Sequence, residues 1–256
     1  MSLRFAPNLS MLWSDLPLAE RFERAAAAGF GAAELWWPGY NEAAELPEIT
    51  RRTGVQLVLL NFDAGDMAAG DRGLLSDPAR VGQFRRNVPI ALDVAQACGC
   101  TMLNALLGLG TQERLPLARD QVAWAADEAA GQGANVMIEA VNSIENGPYL
   151  LTSTEAAADF VRSVDRPNVG IQFDAYHMTR MGESAIASFE RHRDLIHHVQ
   201  IADAPGRGEP GTGEIDFASF FEALEEAGYG GFVGLEYRPS TGDAEASLSW
   251  LRGIAA

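Results

Sequence analysis

The chain has 256 residues and a formal net charge of −16, from 19 basic and 35 acidic side chains. This negative charge repels phosphate backbones, which argues against a nucleic-acid partner. No apolar run reaches the ~20 residues that cross a bilayer, and the first residues lack the apolar core of a signal peptide. We therefore expect a cytoplasmic protein that has no membrane partner.

Strand-like and helix-like segments alternate along the whole chain. The predicted strands are Arg4–Leu9, Ala32–Trp36, Val55–Asn61, Thr101–Leu106, Asn135–Ala140, Val169–Asp174, His197–Ile201 and Phe232–Tyr237. The predicted helices are Leu18–Ala28, Glu45–Thr53, Pro78–Cys98, Leu115–Ala130, Thr154–Val164, Glu183–Arg193, Asp216–Ala227 and Ala244–Ile254. Several of these helices stop at a glycine, such as Gly29 or Gly54, which is typical of helix ends.

Strands that alternate with helices indicate parallel βαβ units, and continuous apolar runs indicate strands that are buried on both faces. Eight such pairs in a chain of this length predict an α/β fold, a (β/α)8 TIM barrel, as a single domain over residues 1–256. A doubly wound sheet is the alternative, but it would place a Gly-rich phosphate loop after the first strand. The segment SMLWSDLP at 10–17 follows that strand instead and contains no glycine.

Three long connections follow predicted strands three, five and seven. They are Phe62–Asp77, Val141–Ser153 and Ala202–Ile215. In a barrel all three would lie at the carboxyl ends of the strands, where barrel enzymes build their active sites. Loops of this length are usually functional or disordered, and the small residues and prolines in these loops favour ordered ones.

Four oxygen-bearing side chains lie at the ends of buried strands in the second half of the chain. They are Glu139, Asp174, Gln200 and Glu236. Because the carboxyl ends of barrel strands meet at one face, we expect these side chains to converge on one point. Three carboxylates and an amide oxygen, with no thiolate, are ligands that favour Mg²⁺ or Mn²⁺ over Zn²⁺. The sequence therefore predicts a divalent-metal site.

The same residues also suggest a reaction. Glu139 and Glu236, on opposite sides of a substrate, would relay a proton between neighbouring carbon atoms. The cation would polarise a carbonyl group and an adjacent hydroxyl group and stabilise the enediolate formed midway. This chemistry is aldose–ketose isomerisation, or epimerisation, of a small hydroxy-carbonyl compound.

Two further residues are candidates for substrate binding. His177 lies three residues after Asp174 and would orient a substrate oxygen; the alternative is a hydrogen-bonded histidine at the barrel rim. Arg207, in the loop after Gln200, would hold a substrate carboxylate in a bidentate fork. The alternative for this arginine is an ion pair with Glu209 or Glu214 in the same loop.

Other polar residues in the strands are expected to have supporting roles. Glu34 lies near the end of the second predicted strand; it would either reach the site or have a supporting or structural role, and we favour the second interpretation. Asp203 and Glu209 are expected to fix the loop after strand seven. His197 and His198 open the seventh strand, at the end away from the proposed site, which predicts structural roles for both.

Several motifs resemble the hydroxypyruvate isomerase family, which belongs to the xylose-isomerase-like TIM barrel superfamily. The resemblance covers essentially the whole chain and is carried by HVQIADAPGRGEPGTGEIDF at 198–217, RFAPNLSMLW at 4–13, NFDAGDMAAGDRGL at 61–74, IQFDAYHM at 171–178 and GFVGLEYRP at 231–239. It implies a divalent-metal site at Glu139, Asp174, Gln200 and Glu236, an acid–base pair formed by the two glutamates, and substrate contacts from His177 and Arg207. The implied reaction interconverts hydroxypyruvate and tartronate semialdehyde.

Some loops depart from the family pattern. The usual Glu-Pro-(Ile/Leu)-Asn after strand five reads EAVN at 139–142, and the usual Asn-Leu-Pro-Ala-Gly-Asp-Trp reads NFDAGDM at 61–67. The alternatives that stay open are a 2-oxo-tetronate isomerase, a ketose 3-epimerase and a non-catalytic binder of sugar acids. A nuclease on the same barrel is disfavoured because it would use a His-rich zinc cluster. Barrels of this type often associate, so a homo-oligomer is also open.

Overall fold

The structure, a computed structural model, describes residues 3–253, and its eight strands form one sheet. The strands are β1 (Arg4–Pro7), β2 (Ala32–Leu35), β3 (Gln56–Asn61), β4 (Met102–Asn104), β5 (Asn135–Glu139), β6 (Val169–Asp174), β7 (Ile196–Ile201) and β8 (Phe232–Leu235). From β2 to β8 each strand pairs in parallel with the next one along the chain, and β1 pairs in parallel with β8. The predicted TIM barrel is confirmed.

The barrel closes between β1 and β2 just beyond the end of β1. Asn8 forms a parallel bridge with Glu34 there, and the Leu9 amide donates to the Glu34 carbonyl oxygen at 2.9 Å. The Asn8 amide itself donates to the Leu235 carbonyl oxygen of β8 at 3.1 Å. The backbone at Asn8 therefore joins the first, second and last strands, and we call the contact between Asn8 and Glu34 the seam of the barrel.

Helices surround the barrel and fill the connections between strands. They are α1 (Leu18–Ala27), α2 (Tyr40–Thr53), α3 (Val81–Ala97), α4 (Leu115–Ala130), α5 (Ser143–Asn146), α6 (Thr154–Val164), α7 (Ala175–Arg180), α8 (Ala185–His192), α9 (Phe217–Glu226) and α10 (Ala244–Ser247). Two 3₁₀ segments, Gln112–Arg114 and Leu248–Gly253, complete the set. Over residues 3–253, none of these helices has the length and apolar character needed to span a membrane.

The structure changes the predicted helices in three places. Helix α2 begins at Tyr40, five residues before its predicted start, and runs through Pro47, because buried Leu46 and Ile49 anchor it to the core. Helices α5 and α7 were not predicted. The predicted last helix is one α-helical turn followed by a 3₁₀ segment, and its final residue, Ile254, lies outside the described residues.

The apolar core lies between the strands and the surrounding helices. Phe22, Phe84 and Phe189 come from α1, α3 and α8 and are among the largest fully buried side chains. Their burial removes apolar area from water, which is the main favourable term in folding. At the carboxyl end of the barrel, by contrast, the interior side chains are polar and buried, which requires that each be paired or bound to something.

Candidate active site

Four ionisable side chains lie together at the carboxyl end of the barrel. Glu139, Asp174, His177 and Glu236 are each at most 4% exposed. Each offers a ligand atom, and these atoms all lie within 4.8 Å of one another. The structure thus brings together the three carboxylates that the sequence singled out, and it adds His177 to the group. The three carboxylates of this set are able to surround one cation.

Asp174 ends β6 and also caps helix α7. Its Oδ1 atom accepts hydrogen bonds from the backbone amides of Tyr176 at 2.8 Å and His177 at 3.4 Å. Its Oδ2 atom is buried and has no hydrogen-bond partner among the described residues. A carboxylate oxygen in that state is costly unless it binds a cation or a proton, and burial raises the pKa of Asp174.

Glu139 ends β5 and is held by two neutral amides. Its Oε2 atom accepts hydrogen bonds from Asn104 Nδ2 at 2.9 Å and from Gln172 Nε2 at 3.0 Å. Burial, followed by the charges of Glu236 and Asp174, raises the pKa of Glu139 well above its ordinary value. Without a cation, the cluster therefore resists carrying all of its negative charges at once.

Glu236 follows β8 directly and accepts three side-chain hydrogen bonds. Its Oε1 atom accepts from Trp36 Nε1 at 2.5 Å and from Asn8 Nδ2 at 3.2 Å, and its Oε2 atom accepts from the Arg207 guanidinium at 2.9 Å. Burial raises the pKa of Glu236 to about 8, with Arg207 acting in the opposite direction and Asp174 adding to the rise. Glu236 therefore holds a proton more readily than an ordinary glutamate does.

His177 faces the carboxylates with one nitrogen and Asn142 with the other. Its Nε2 atom lies 3.7 Å from Asp174 and 3.8 Å from Glu139, and its Nδ1 atom lies 2.7 Å from Asn142 Nδ2. The Asn142 amide is oriented by Glu145, whose backbone N–H donates to Asn142 Oδ1 at 2.9 Å. Nδ1 of His177 therefore accepts, and the proton of the neutral ring sits on Nε2. Burial, followed by the charge of Arg207, holds the pKa of His177 well below its ordinary value.

Gln200 lies in β7 with both ends of its side-chain amide engaged. Its Oε1 atom accepts from Gln172 Nε2, and its Nε2 atom donates to Glu34 Oε1, both at 2.6 Å. The oxygen keeps a second lone pair. The role of Gln200 as a ligand stays a prediction.

Arg207 pairs with Glu236 rather than with Glu209 or Glu214. Besides its hydrogen bond to the Glu236 carboxylate, its guanidinium lies over the ring of Tyr176, 5.3 Å from the ring centroid. Its backbone adopts a φ of +57°, a left-handed conformation that is uncommon for a residue with a side chain. The loop therefore holds Arg207 against the carboxylate cluster and under local strain.

Asp203 organises the loop that carries Arg207. Its carboxylate accepts hydrogen bonds from the backbone amides of Gly211, Gly213 and Ile215, at 2.9, 2.8 and 3.1 Å. Gly213 packs so closely against the Ala204 carbonyl that a Cβ atom there would overlap it. The expected loop-fixing role of Asp203 therefore matches its contacts.

A cavity of about 570 Å³ opens above the cluster. It is lined by Glu139, His177, Arg207 and Glu236, and also by residues that the sequence analysis did not single out, including Asn61, Glu145 and Tyr149. Glu145 accepts a hydrogen bond from the Tyr176 hydroxyl at 2.7 Å. The carboxyl end of the barrel thus carries a pocket that is lined by both charged and apolar side chains and has the size of sites that bind small molecules.

The family model described as "Xylose isomerase-like TIM barrel" matches residues 22–254 of this chain. The chain belongs to the xylose isomerase-like TIM barrel family. A relative from Streptomyces coelicolor, named putative hydroxypyruvate isomerase, is 41% identical over 97% of this chain and 95% of its own length. The hydroxypyruvate isomerase of Escherichia coli K12 is 36% identical over 97% and 98% of the two chains.

Two further members of this xylose isomerase-like family extend the comparison. The 2-oxo-tetronate isomerase of Cupriavidus necator is 35% identical over 97% of both chains. A crystal structure from Brucella melitensis, named AP endonuclease, family 2, is 36% identical, has a TM-score of 0.92 and covers 98% of both chains. The resemblance to the hydroxypyruvate isomerase family is confirmed, and with it the expectation of an isomerase.

Proposed function

We propose that the protein is a metal-dependent isomerase of a small hydroxy-carbonyl acid, with hydroxypyruvate and tartronate semialdehyde as the preferred pair. One observation carries the proposal: two buried glutamates, Glu139 and Glu236, come from β5 and the end of β8 and meet across a cluster that also contains Asp174. Two such groups are able to act as base and acid on neighbouring carbon atoms of one substrate.

The donor set fits a divalent cation that prefers oxygen ligands. Among residues 3–253, Asp174 Oδ2 is buried without a hydrogen-bond partner, and one carboxylate oxygen each from Glu139, Asp174 and Glu236 lie within 4.8 Å of one another. Together with the Gln200 oxygen, these residues would hold Mg²⁺ or Mn²⁺. When bound, the cation would supply Lewis-acid polarisation of the substrate carbonyl.

The two glutamates would carry the proton. One would remove a proton from the hydroxymethyl carbon of hydroxypyruvate, and the other would deliver a proton to the neighbouring carbonyl carbon. The hydroxyl proton moves from the oxygen of the hydroxymethyl group to the oxygen of the former carbonyl group. The product is therefore an aldehyde with the same atomic composition as hydroxypyruvate. Trp36 and Asn8 would hold Glu236 in place during this transfer through their hydrogen bonds to Oε1.

His177 and Arg207 would bind and orient the acid. The Nε2–H of His177 points towards the cluster and would donate to a substrate oxygen. Arg207 would bind the substrate carboxylate, for which its planar fork is suited, at the expense of its contact with Glu236. A substrate carboxylate would thereby free Glu236 for proton transfer.

A 2-oxo-tetronate isomerase is the second candidate. The Cupriavidus necator relative is 35% identical to this chain and the Escherichia coli relative 36%, so identity does not separate the two substrates. A nuclease function, as the name of the Brucella melitensis protein would suggest, is disfavoured by the net charge of −16.

The test is a substrate panel followed by NMR in deuterated water with Mg²⁺ or Mn²⁺. Hydroxypyruvate should be converted to tartronate semialdehyde with deuterium at the carbon that receives the proton. Faster turnover of a 2-oxo-tetronate would select the second candidate. Binding of these acids with no turnover and no deuterium exchange under either metal would overturn the proposal and indicate a non-catalytic binder.

A further inference from the structure

Glu34 is a buried carboxylate that lies at the seam beside the cluster and does not line the cavity. It is 0% exposed, and its two oxygens accept hydrogen bonds from three side chains. Oε1 accepts from Gln200 Nε2 at 2.6 Å and from Asn8 Nδ2 at 3.1 Å, and Oε2 accepts from His198 Nε2 at 2.7 Å. Both oxygens are therefore engaged by donors, in contrast to a carboxylate that is available to a cation.

The hydrogen bond from Gln200 to Glu34 determines which end of the Gln200 amide faces the cluster. An ionised carboxylate only accepts hydrogen bonds, so it binds the NH₂ end of the amide and turns the oxygen end away from itself. The oxygen then lies beside Gln172 Nε2, which also donates to Glu139 Oε2 at 3.0 Å. The Gln200 oxygen is thus held on the side of the proposed ligand Glu139.

Glu34 also orients Asn8, which contacts the other proposed acid–base residue. The Asn8 Nδ2 group donates to both Glu34 and Glu236, and its Oδ1 atom accepts from the Ser10 amide at 3.0 Å. A continuous chain of hydrogen bonds therefore runs from Glu139 to Glu236. Its members are, in order, Glu139, Gln172, Gln200, Glu34, Asn8 and Glu236.

The sheet has a glycine where the Glu34 carboxylate packs. A Cβ atom at Gly234 in β8 would overlap the Glu34 carboxylate. Gly234 does not have a positive φ, so its backbone conformation does not require glycine. The glycine instead provides space, because the absence of a Cβ atom leaves room for the Glu34 carboxylate inside the barrel.

We propose that Glu34, held by His198, is a positioning residue: it turns the oxygen of Gln200 towards the bound cation and the N–H of Asn8 towards Glu236. This inference rests on the proposed function, because it concerns the cation of that site. Residues that orient metal ligands in this way typically change metal affinity or activity by about 10- to 100-fold when they are replaced.

The first experiment measures Mn²⁺ affinity by titration calorimetry for the whole protein and for Glu34→Gln. The variant keeps the shape of the side chain but replaces one of the two accepting oxygens with an NH₂ group, which cannot accept a hydrogen bond, so we expect Mn²⁺ to bind about 10- to 100-fold more weakly. The matched control is Glu183→Gln. Glu183 also accepts three hydrogen bonds, from Thr154 and Ser188, but lies outside the barrel, so its Mn²⁺ affinity should stay within about twofold of the wild type.

A second pair of variants separates orientation from charge and serves if Glu34→Gln does not fold. His198→Leu keeps the charge of Glu34 and removes one of its donors, whereas His198→Gln keeps an N–H donor. We expect His198→Leu to bind Mn²⁺ more weakly than His198→Gln by about tenfold. A role in folding alone would lower the midpoint of thermal unfolding of the metal-free proteins and leave their Mn²⁺ affinities equal.

The outcomes are distinct. Folded Glu34→Gln with wild-type affinity for Mn²⁺ overturns the inference, and so do equal affinities of the two His198 variants. A wild-type protein that binds neither Mn²⁺ nor Mg²⁺ overturns the proposed function as well. Weaker Mn²⁺ binding by Glu34→Gln and His198→Leu, with both controls close to the wild type, supports the positioning role.

Discussion

The two sides of the barrel mouth differ in the groups that their strands present. Strands β5, β6 and β8 end at or directly before Glu139, Asp174 and Glu236, whereas β1, β3 and β4 end at or directly before Asn8, Asn61 and Asn104. These three strands of the first side therefore supply negative charge and these three of the second supply neutral amides, while β7 carries the amide Gln200 and β2 the buried carboxylate Glu34. Asn8 and Asn104 donate to Glu236 and Glu139, so the amide side restrains the carboxylates of the other side.

Two buried carboxylates, Glu34 and Asp174, differ in how many of their oxygens are hydrogen-bonded. Glu34 belongs to the first half of the chain, and both of its oxygens are hydrogen-bonded. Asp174 belongs to the second half, and its Oδ2 atom has no partner among residues 3–253. Burial alone does not indicate function. A carboxylate with both oxygens hydrogen-bonded orients the side chains that donate to it. A carboxylate with an oxygen that accepts no hydrogen bond is available to a ligand.

Replacing Glu236 on the charged side should have the largest effect. Glu236→Gln keeps an oxygen for the cation but removes the proton-transfer group, so we expect kcat to fall by about 10²- to 10⁴-fold. Mn²⁺ binding should be partly retained, as titration calorimetry will show. Glu209→Gln is the control, because Glu209 bonds Ser240 at the loop surface. A wild-type kcat in Glu236→Gln would remove this residue from the mechanism.

Removing the free oxygen of Asp174 should come next. Asp174→Asn is able to keep its helix cap through Oδ1, but it loses the charge and the unpartnered oxygen. We expect Mn²⁺ affinity to fall by more than about 100-fold, beyond the range typical for residues that only orient ligands. If Asp174→Asn lost less Mn²⁺ affinity than Glu34→Gln in the same calorimetric assay, Asp174 would not be the more important of the two carboxylates for cation binding.

Arg207 forms an ion pair with Glu236 on the charged side. Arg207→Ala should lower kcat/KM for hydroxypyruvate by about 10- to 100-fold, mainly through KM, because charge-assisted hydrogen bonds contribute about 1.5–3 kcal/mol. Arg238→Ala is the matched control: Arg238 lines the same cavity and its side chain forms no ion pair within the described part of the chain. Equal KM values for the two variants would show that Arg207 does not bind the carboxylate.

The amide side should show the smallest effects, and they should appear in stability. Asn104→Ala removes a donor from buried Glu139, which should lower the free energy of unfolding by about 1–3 kcal/mol. Asn61→Ala removes a buried oxygen that has no hydrogen-bond partner in the described part of the chain, so the loss should be less than about 1 kcal/mol. Urea unfolding of both variants measures the difference, and the reverse order would be inconsistent with a restraining role for the amides.

The strands and the acidic cluster were predictable because they depend on local patterns. Each continuous apolar run became a strand to within a few residues, and the carboxylates at the ends of three of these runs do meet. Helix α7 was missed because its start depends on the Asp174 cap, and six residues give little periodic pattern. Asn61 and Asn104 end their strands as the carboxylates do, so the same reasoning applied to amides would have found them.

The hydrogen bonds around the cluster were not predictable, because their partners are far apart in sequence. His198 and Glu34 are 164 residues apart, and Asn8 and Glu236 are 228 residues apart. Such pairings depend on the closed barrel and have no local pattern. For the same reason the sequence offered only Glu209 and Glu214 as ion-pair alternatives to a substrate carboxylate for Arg207, whereas in the structure Arg207 pairs with Glu236, 29 residues away.

The seam has a consequence for how the enzyme is assembled. Asn8 lies where the amino-terminal strand docks against the last strand, and it is also the residue that donates to Glu236. A chain whose first strand is undocked would keep its helical content and yet leave Glu236 without one of its restraints. Catalytic turnover should therefore appear late in refolding, with ring closure, and should be the first property lost when the amino terminus opens.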